Sequence, residues 1–307
     1  MNVQRTRITC PILLAALVLA ACNPPAPTAT PTPLPSATPP PVVTPVLPTL
    51  TPVPSTATPT PAGPQPLPAN PQQVEFQAGD GQALVGTYYP AAVNPAPVVV
   101  LMHWAPGDER DWAAIARWLQ NRGLPLPVDT PQGQPWLDPS WFPSMPHYLS
   151  FAVFTFTFRG CEGGCQRFTR DAWLLDARAA VQTARELEGV DPERLVTIGA
   201  SIGADGAVDA CDAGCLGAFS LSPGAYLNVP YDEAVAAMEA LEPPRPAWCL
   251  AGEMDSASAS ACRSASGTRY RATIYSGAEH GMLLIQPEMD PNPMALILEF
   301  LRSAFGL

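Results

Sequence analysis

The sequence predicts an α/β domain with a mostly parallel central β-sheet and helices on both faces, preceded by a disordered linker rich in Pro and Thr. Three observations lead there. From residue 74 onward an opening hairpin is followed by strands alternating with helices, the pattern of a sheet covered on both sides. Residues 23–73 hold close to half of the chain's 40 prolines and no charged residue. A Gly-x-Ser-x-Gly turn, Gly199 to Gly203, lies between a short apolar run and a helical one.

The chain of 307 residues opens with Arg5 and Arg7, an apolar stretch from Pro11 to Ala20, and Leu19-Ala20-Ala21-Cys22. The apolar run is too short to remain as a membrane span and reads as a signal peptide over 1–21. Leu19 to Cys22 resembles a bacterial lipobox, which implies cleavage before Cys22 and lipidation of its thiol. An ordinary secretory signal ending near Ala21 is the alternative, and either reading puts the mature protein outside the cytoplasm. Diacylation plus N-acylation would anchor it firmly, since one acyl chain holds only marginally.

Residues 22–73 read as the lipidated cysteine and a tether. Repeated Thr-Pro and Pro-x-Pro steps prevent helix or sheet and favour polyproline II, at about 3.1 Å per residue, so about fifty residues reach at most about 150 Å. Residues 74–307 remain for one domain, enough to build its own core. Strands are expected near Val74–Phe76, Ala83–Tyr89, Val98–His103, Phe151–Phe158, Leu195–Ile198, Leu216–Leu221, Trp248–Ala251 and Arg271–Tyr275. Helices are expected near Asp111–Arg122, Arg170–Glu188, Ile202–Ala210, Tyr231–Ala240 and Pro293–Phe305. The long Pro-, Trp- and Phe-rich segment 123–150 is either an aromatic cap over a site or a satellite cluster of buried rings.

The chemistry concentrates in the turn. Arg194 to Ile198 forms a buried strand, Gly199 to Gly203 a sharp bend, and Ala204 onward a helix, the context in which Gly-x-Ser-x-Gly presents a nucleophile. Glycine on both sides lets helix and strand approach while Ser201 takes a strained conformation. The N–H groups at the helix start face the same space, suited to a developing oxyanion.

With these residues the chain resembles the α/β-hydrolase superfamily, in particular its carboxylesterases and dienelactone-hydrolase-like proteins, over about Val74 to Leu307. The resemblance also rests on Leu101-Met102-His103-Trp104-Ala105-Pro106-Gly107, Ala251-Gly252-Glu253-Met254-Asp255 and Gly277-Ala278-Glu279-His280-Gly281. The namesake dienelactone hydrolases carry a cysteine nucleophile where this chain has Ser201, which favours general ester chemistry. The order nucleophile, acid, histidine that this fold requires singles out His280 among three histidines. His103 and His147 precede Ser201. Asp255 follows an apolar strand and is the candidate acid, with Glu253 and Glu279 as competitors and Asp212 a weaker one. Asp205, in the first helical turn, is explained by the helix dipole. Ile202 N–H is the first oxyanion donor; by resemblance Ala105 N–H is the second, with Trp104 next. The Trp104 indole either lines an acyl pocket or is packing.

Leaving out Cys10 in the signal and Cys22, six cysteines remain. Outside the cytoplasm they read as disulfides with 15 possible connectivities. Local pairing is expected: Cys161 with Cys165, Cys211 with Cys215, on the ground that residues four apart are about 6 Å apart in a helical turn. Cys249 and Cys262 would straddle Asp255. A zinc site from the first four is disfavoured because the proposed fold puts the two pairs at opposite sheet edges.

The formal net charge is −11 and there is no lysine, which argues against a nucleic-acid partner. The sequence therefore suggests a membrane-tethered, extracytoplasmic serine hydrolase that cleaves a small-molecule carboxylic ester through Ser201, His280 and Asp255, with no cofactor and no obligate protein partner. A hydrolase-like lipoprotein that binds without turnover and a peptidase of the same fold are the alternatives.

Overall fold

The computed structural model describes residues 64–212 and 214–307. The signal segment 1–21, Cys22 and the tether up to residue 63 lie outside the described residues. Eight strands form one sheet: β1 (Gln72–Gln77), β2 (Ala83–Tyr89), β3 (Ala96–Met102), β4 (Ala152–Phe156), β5 (Val190–Ala200), β6 (Cys215–Leu221), β7 (Ala247–Gly252) and β8 (Tyr270–Tyr275). Their spatial order is β1-β2-β4-β3-β5-β6-β7-β8. β2 is antiparallel to β1 and β4, and every other pairing is parallel.

Central strands of such a sheet are buried on both faces, so they read as unbroken apolar runs. In β3 (Ala96–Met102) all residues are buried, and alternate side chains enter different cores. Val98, Val100 and Met102 join the core beneath α2 (Arg170–Glu186), α3 (Ile202–Asp209), α4 (Tyr231–Glu239) and α5 (Ser256–Ser264). Val99 and Leu101 join the core beneath α1 (Ala113–Gln120) and α6 (Pro293–Phe305), with Ile115 and Phe300. No helix among the described residues is long and apolar enough to cross a membrane.

All eight expected strands are present. The helix expected over Asp111–Arg122 is shorter. Its first turn is a tight one over Glu109–Trp112, capped by the Asp108 carboxylate on Arg110 N–H, and α1 ends where Asn121 turns left-handed at φ 51°. α5 is an element that sequence periodicity does not announce: Ser256 to Ser264 alternates small residues, and tertiary packing decides it.

The chain joins the domain earlier than Val74. Carbonyls of residues 64–71 are taken by three side chains: Gln65 by Asn94 Nδ2 (2.9 Å), Leu67 by Arg122 Nη1 (2.7 Å) and Ala69 by Gln120 Nε2 (2.7 Å). A proline-rich extended strand leaves its carbonyls unpaired, so amide and guanidinium donors can fasten it. Asn94 precedes β3 and Gly189, which abuts Leu67, precedes β5. This strap therefore lies at the amino edge of the sheet.

Segment 123–150 buries two of its rings, Trp136 and Phe142, half-buries Trp141 and leaves Tyr148 exposed. Trp136, Leu137, Phe142 and Leu149 belong to the core under α1 and α6, and Phe142 meets Trp118 and Trp141 edge-on.

Candidate active site

Ser201 stands between β5 and α3 with φ 53° and ψ −116°, a conformation that a non-glycine residue holds only when its surroundings enforce it. They do. A Cβ on Gly199 would strike the Gly203 carbonyl, and one on Gly203 would strike the Met102 carbonyl of β3. Ser201 N–H continues the sheet by donating to Leu221 O (2.8 Å). Ile202 opens α3, so its N–H has no acceptor within the helix.

His280 follows β8, and Asp255 follows β7 at the start of α5. The three side chains form one hydrogen-bonded chain: His280 Nε2 lies 2.8 Å from Ser201 Oγ and His280 Nδ1 lies 2.7 Å from Asp255 Oδ2. Asp255 precedes a helix without capping it, because its carboxylate is turned to the imidazole. Ser222 Oγ accepts Gly281 N–H (2.9 Å) and fixes the chain just past His280. Neither competitor shares this place. Glu253 reaches Arg263 (3.4 Å) at the surface, and Glu279 Oε2 is buried without a hydrogen-bond partner among the described residues. Asp212 pairs with Arg185 (2.5 Å).

The loop after β3 carries Trp104 and Ala105. His103 is fully buried, and burial pushes its imidazole down to about 4. Phe158 N–H donates to His103 Nε2 (3.0 Å), so that nitrogen is unprotonated and Nδ1–H donates to Trp104 O (2.7 Å). In a trans peptide the C=O and N–H point opposite ways. Holding the Trp104 carbonyl toward His103 therefore aims Ala105 N–H away from it. Sequence order excludes His103 as a base, but nothing in the sequence announces this structural role.

Trp104 is partly packing. Its Nε1 donates to Asp111 Oδ2 (2.6 Å), and its ring meets Trp136 edge-on at 5.7 Å. Burial raises the Asp111 carboxyl, against the hydrogen bonds from the two indoles. The other side of the indole lies against Gly281, where a Cβ would come within 3.0 Å of the ring and 3.7 Å of Ser201 Cβ. Trp104 also walls a concavity of about 250 Å³ with Asp111 and Trp136. A larger cleft of about 610 Å³, between residues 126–141 and Pro287–Glu288, has none of Ser201, Asp255 or His280 in its wall. His147 is exposed and meets only Tyr148 edge-on among the ring contacts.

α3 also carries two acids below the elbow. Asp205 is buried and accepts the N–H groups of Gly224 (2.7 Å) and Tyr226. It therefore fastens the loop after β6, whose Tyr226 ring stands edge-on to His280 at 6.1 Å. A helix-dipole role alone does not describe it. Burial lifts Asp205 to about 7, opposed by those backbone donors. Asp209, one turn on, has both carboxyl oxygens buried without a partner among the described residues. Burial, then the charge of Asp205, lifts it to about 8. An ordinary carboxyl loses its proton near 4 in the unfolded chain, whereas folded Asp209 keeps it to about 8. Its contribution to stability is thus fully present at low pH and falls as pH rises through that window. Asp209→Asn stays neutral and should be more stable than wild type at about pH 8.5 by about 1 to 3 kcal/mol, with little difference at about pH 4. Urea unfolding at both values checks it; parallel pH curves for the two proteins would refute it.

The disulfides are Cys161–Cys165, Cys211–Cys215 and Cys249–Cys262. The first does not sit in a helical turn. It closes a loop containing Gly163 and Gly164, both at positive φ. The third joins β7 to α5 on either side of Asp255.

Strand order, the elbow after β5 and the placing of all three loops at the carboxyl edge of the parallel strands define the α/β-hydrolase fold. No protein-family model matches the chain. An esterase of Pyrococcus furiosus superposes with a TM-score of 0.53 at 16% identity, covering 77% of this chain and 94% of its own. The α/β hydrolase GrgF of Penicillium sp. sh18 gives 0.51 at 15% identity, covering 78% of this chain and 100% of its own. In sequence, the chain is 30% identical over 138 residues to the uncharacterized protein YfhR of Escherichia coli K12. The E. coli O157:H7 protein of that name is 31% identical over 132 residues. These matches cover 44% and 42% of this chain and span only 40% and 38% of those relatives.

Proposed function

We propose that the protein is a serine hydrolase acting on small carboxylic esters through an acyl-enzyme. The observation that carries this reading is the chain of two short hydrogen bonds from Ser201 Oγ through His280 to Asp255. As Oγ attacks the ester carbonyl, His280 Nε2 takes its proton and later returns it to the leaving alcohol. Asp255 accepts Nδ1–H, which fixes the tautomer and stabilises the imidazolium. Ile202 N–H and Ala105 N–H are the oxyanion donors in this scheme. Water then repeats the sequence on the acyl-enzyme, and no step calls for a cofactor. A fluorophosphonate probe applied to the whole protein, followed by peptide mapping, should place the modification on Ser201. Labelling of another residue would overturn the assignment.

We also propose that the mature protein is an extracytoplasmic lipoprotein anchored through Cys22. The lipobox-like Leu19 to Cys22 and the uncharged, proline-dense stretch behind it support this reading. The strap at 64–71 joins the amino edge of the sheet, whereas Ser201, Asp255 and His280 lie at the carboxyl edge. In a bacterial host, Cys22→Ala should move the protein from the membrane fraction to the soluble one. Retention of the variant with membranes would refute the anchor.

A further inference from the structure

We propose that the Cys161–Cys165 disulfide is a positioning device for the reaction: it holds the turn 160–166 in the shape that orients Ala105, and so the Ala105 N–H toward the oxyanion. The proposal rests on the ester-hydrolase reading above.

Three consecutive residues of this turn touch the loop after β3. Gly163 N–H donates to Asp108 Oδ2 (3.0 Å). Gly164, at φ 109°, lies so close to that loop that a Cβ would come within 2.9 Å of Pro106 O. Cys165 N–H donates to Ala105 O (2.7 Å). The peptide before Ala105 is held through the Trp104 carbonyl by His103, and the one after it is held through its own carbonyl by Cys165. Ala105 N–H lies in the first of these peptides; with the second also held, Ala105 Cα is clamped between them, and its N–H keeps both its place and its direction.

The glycines let the turn reach that shape but make it costly to keep ordered. Gly160, Gly163 and Gly164 all take positive φ, and glycine loses more freedom on ordering than any other residue. Within the turn, Gly164 N–H to Cys161 O (2.9 Å) and Gln166 N–H to Gly160 O (3.2 Å) are the backbone bonds that supplement the disulfide. A bridge over so short a loop restricts the unfolded chain little. Its effect is local order, and the local partner is Ala105.

The molecule supplies its own control. Cys211–Cys215 spans the same four-residue separation but lies between α3 and β6, at the amino edge of the sheet. In the full chain, Cys161→Ser with Cys165→Ser and Cys211→Ser with Cys215→Ser should each lower Tm by a similar few degrees, about what a short loop contributes. Only the first pair should lower kcat on a short p-nitrophenyl ester, by about 10- to 100-fold, with KM changed less than about threefold. A kcat within about twofold of wild type, or an equal loss in both double variants, would overturn the proposal. Failure of the underlying reading shows separately, as wild-type labelling at a residue other than Ser201.

Reduction of the native protein covers the case of a variant that does not fold. Dithiothreitol gives two electrons and two protons to the Cys161–Cys165 bond, leaving two thiols, and is itself oxidised to its cyclic disulfide. Cys165 is partly exposed and open to attack. Activity should fall in proportion to the Cys165 found alkylated by peptide mapping and return on reoxidation of unalkylated protein. Full activity with Cys165 fully alkylated would overturn the positioning role.

Discussion

Ser201→Ala is expected to abolish fluorophosphonate labelling and to lower kcat on short p-nitrophenyl esters by about 10⁴-fold or more, the loss that follows when the nucleophile of such a unit is removed. The fold should survive, because alanine keeps the Cβ and the backbone hydrogen bond from residue 201 to Leu221 O. The measurement separates two classes of function. A hydrolase-like head that only binds a ligand would show no labelling of the wild type and no change on substitution. Turnover preserved in the Ala variant would remove Ser201 from the chemistry, whatever its geometry.

The sheet was legible because central strands are apolar on both faces, and such runs stand out against the turns around them. The elbow was legible because its two glycines answer a steric demand: Gly199 against the Gly203 carbonyl, and Gly203 against β3. Other parts depend on contacts between distant residues, which periodicity does not carry. The Ser-Ala alternation from Ser256 to Ser264 becomes a helix because it covers β7 and accepts the Cys249 bridge. Residues 64–71 look like more tether until Asn94, Gln120 and Arg122 take their carbonyls. Asp205 has no local signature because it binds backbone from the loop after β6, and His103 has none because Phe158 N–H, from a distant segment, sets the tautomer with which it holds Trp104 O. The choice among Asp255, Glu253 and Glu279 likewise turns on how the loops after β7 and β8 meet, and only the folded geometry brings one carboxylate to His280 Nδ1.

That choice leads to the second large effect. Asp255→Asn should lower kcat by about 10⁴-fold while KM changes little. The amide is nearly the same shape as the carboxylate, and Asp255 makes no capping bond to α5 that the change would break, so Tm should move by only a few degrees. What changes is the proton. A carboxylate can only accept, which keeps hydrogen on His280 Nδ1 and leaves Nε2 free to take the Ser201 proton. An amide NH₂ turned to Nδ1 donates instead, favours hydrogen on Nε2, and leaves no base facing the hydroxyl. Glu253→Gln should stay near wild type, because its side chain points to Arg263 at the surface. Glu279→Gln should also keep its kcat, and any effect should fall on stability, because Glu279 Oε2 is buried without a hydrogen-bond partner among the described residues. Steady-state kinetics on the three variants decides among the carboxylates. A selective loss of kcat in Glu279→Gln, with Asp255→Asn near wild type, would move the acid to Glu279 while leaving the serine and histidine chemistry in place.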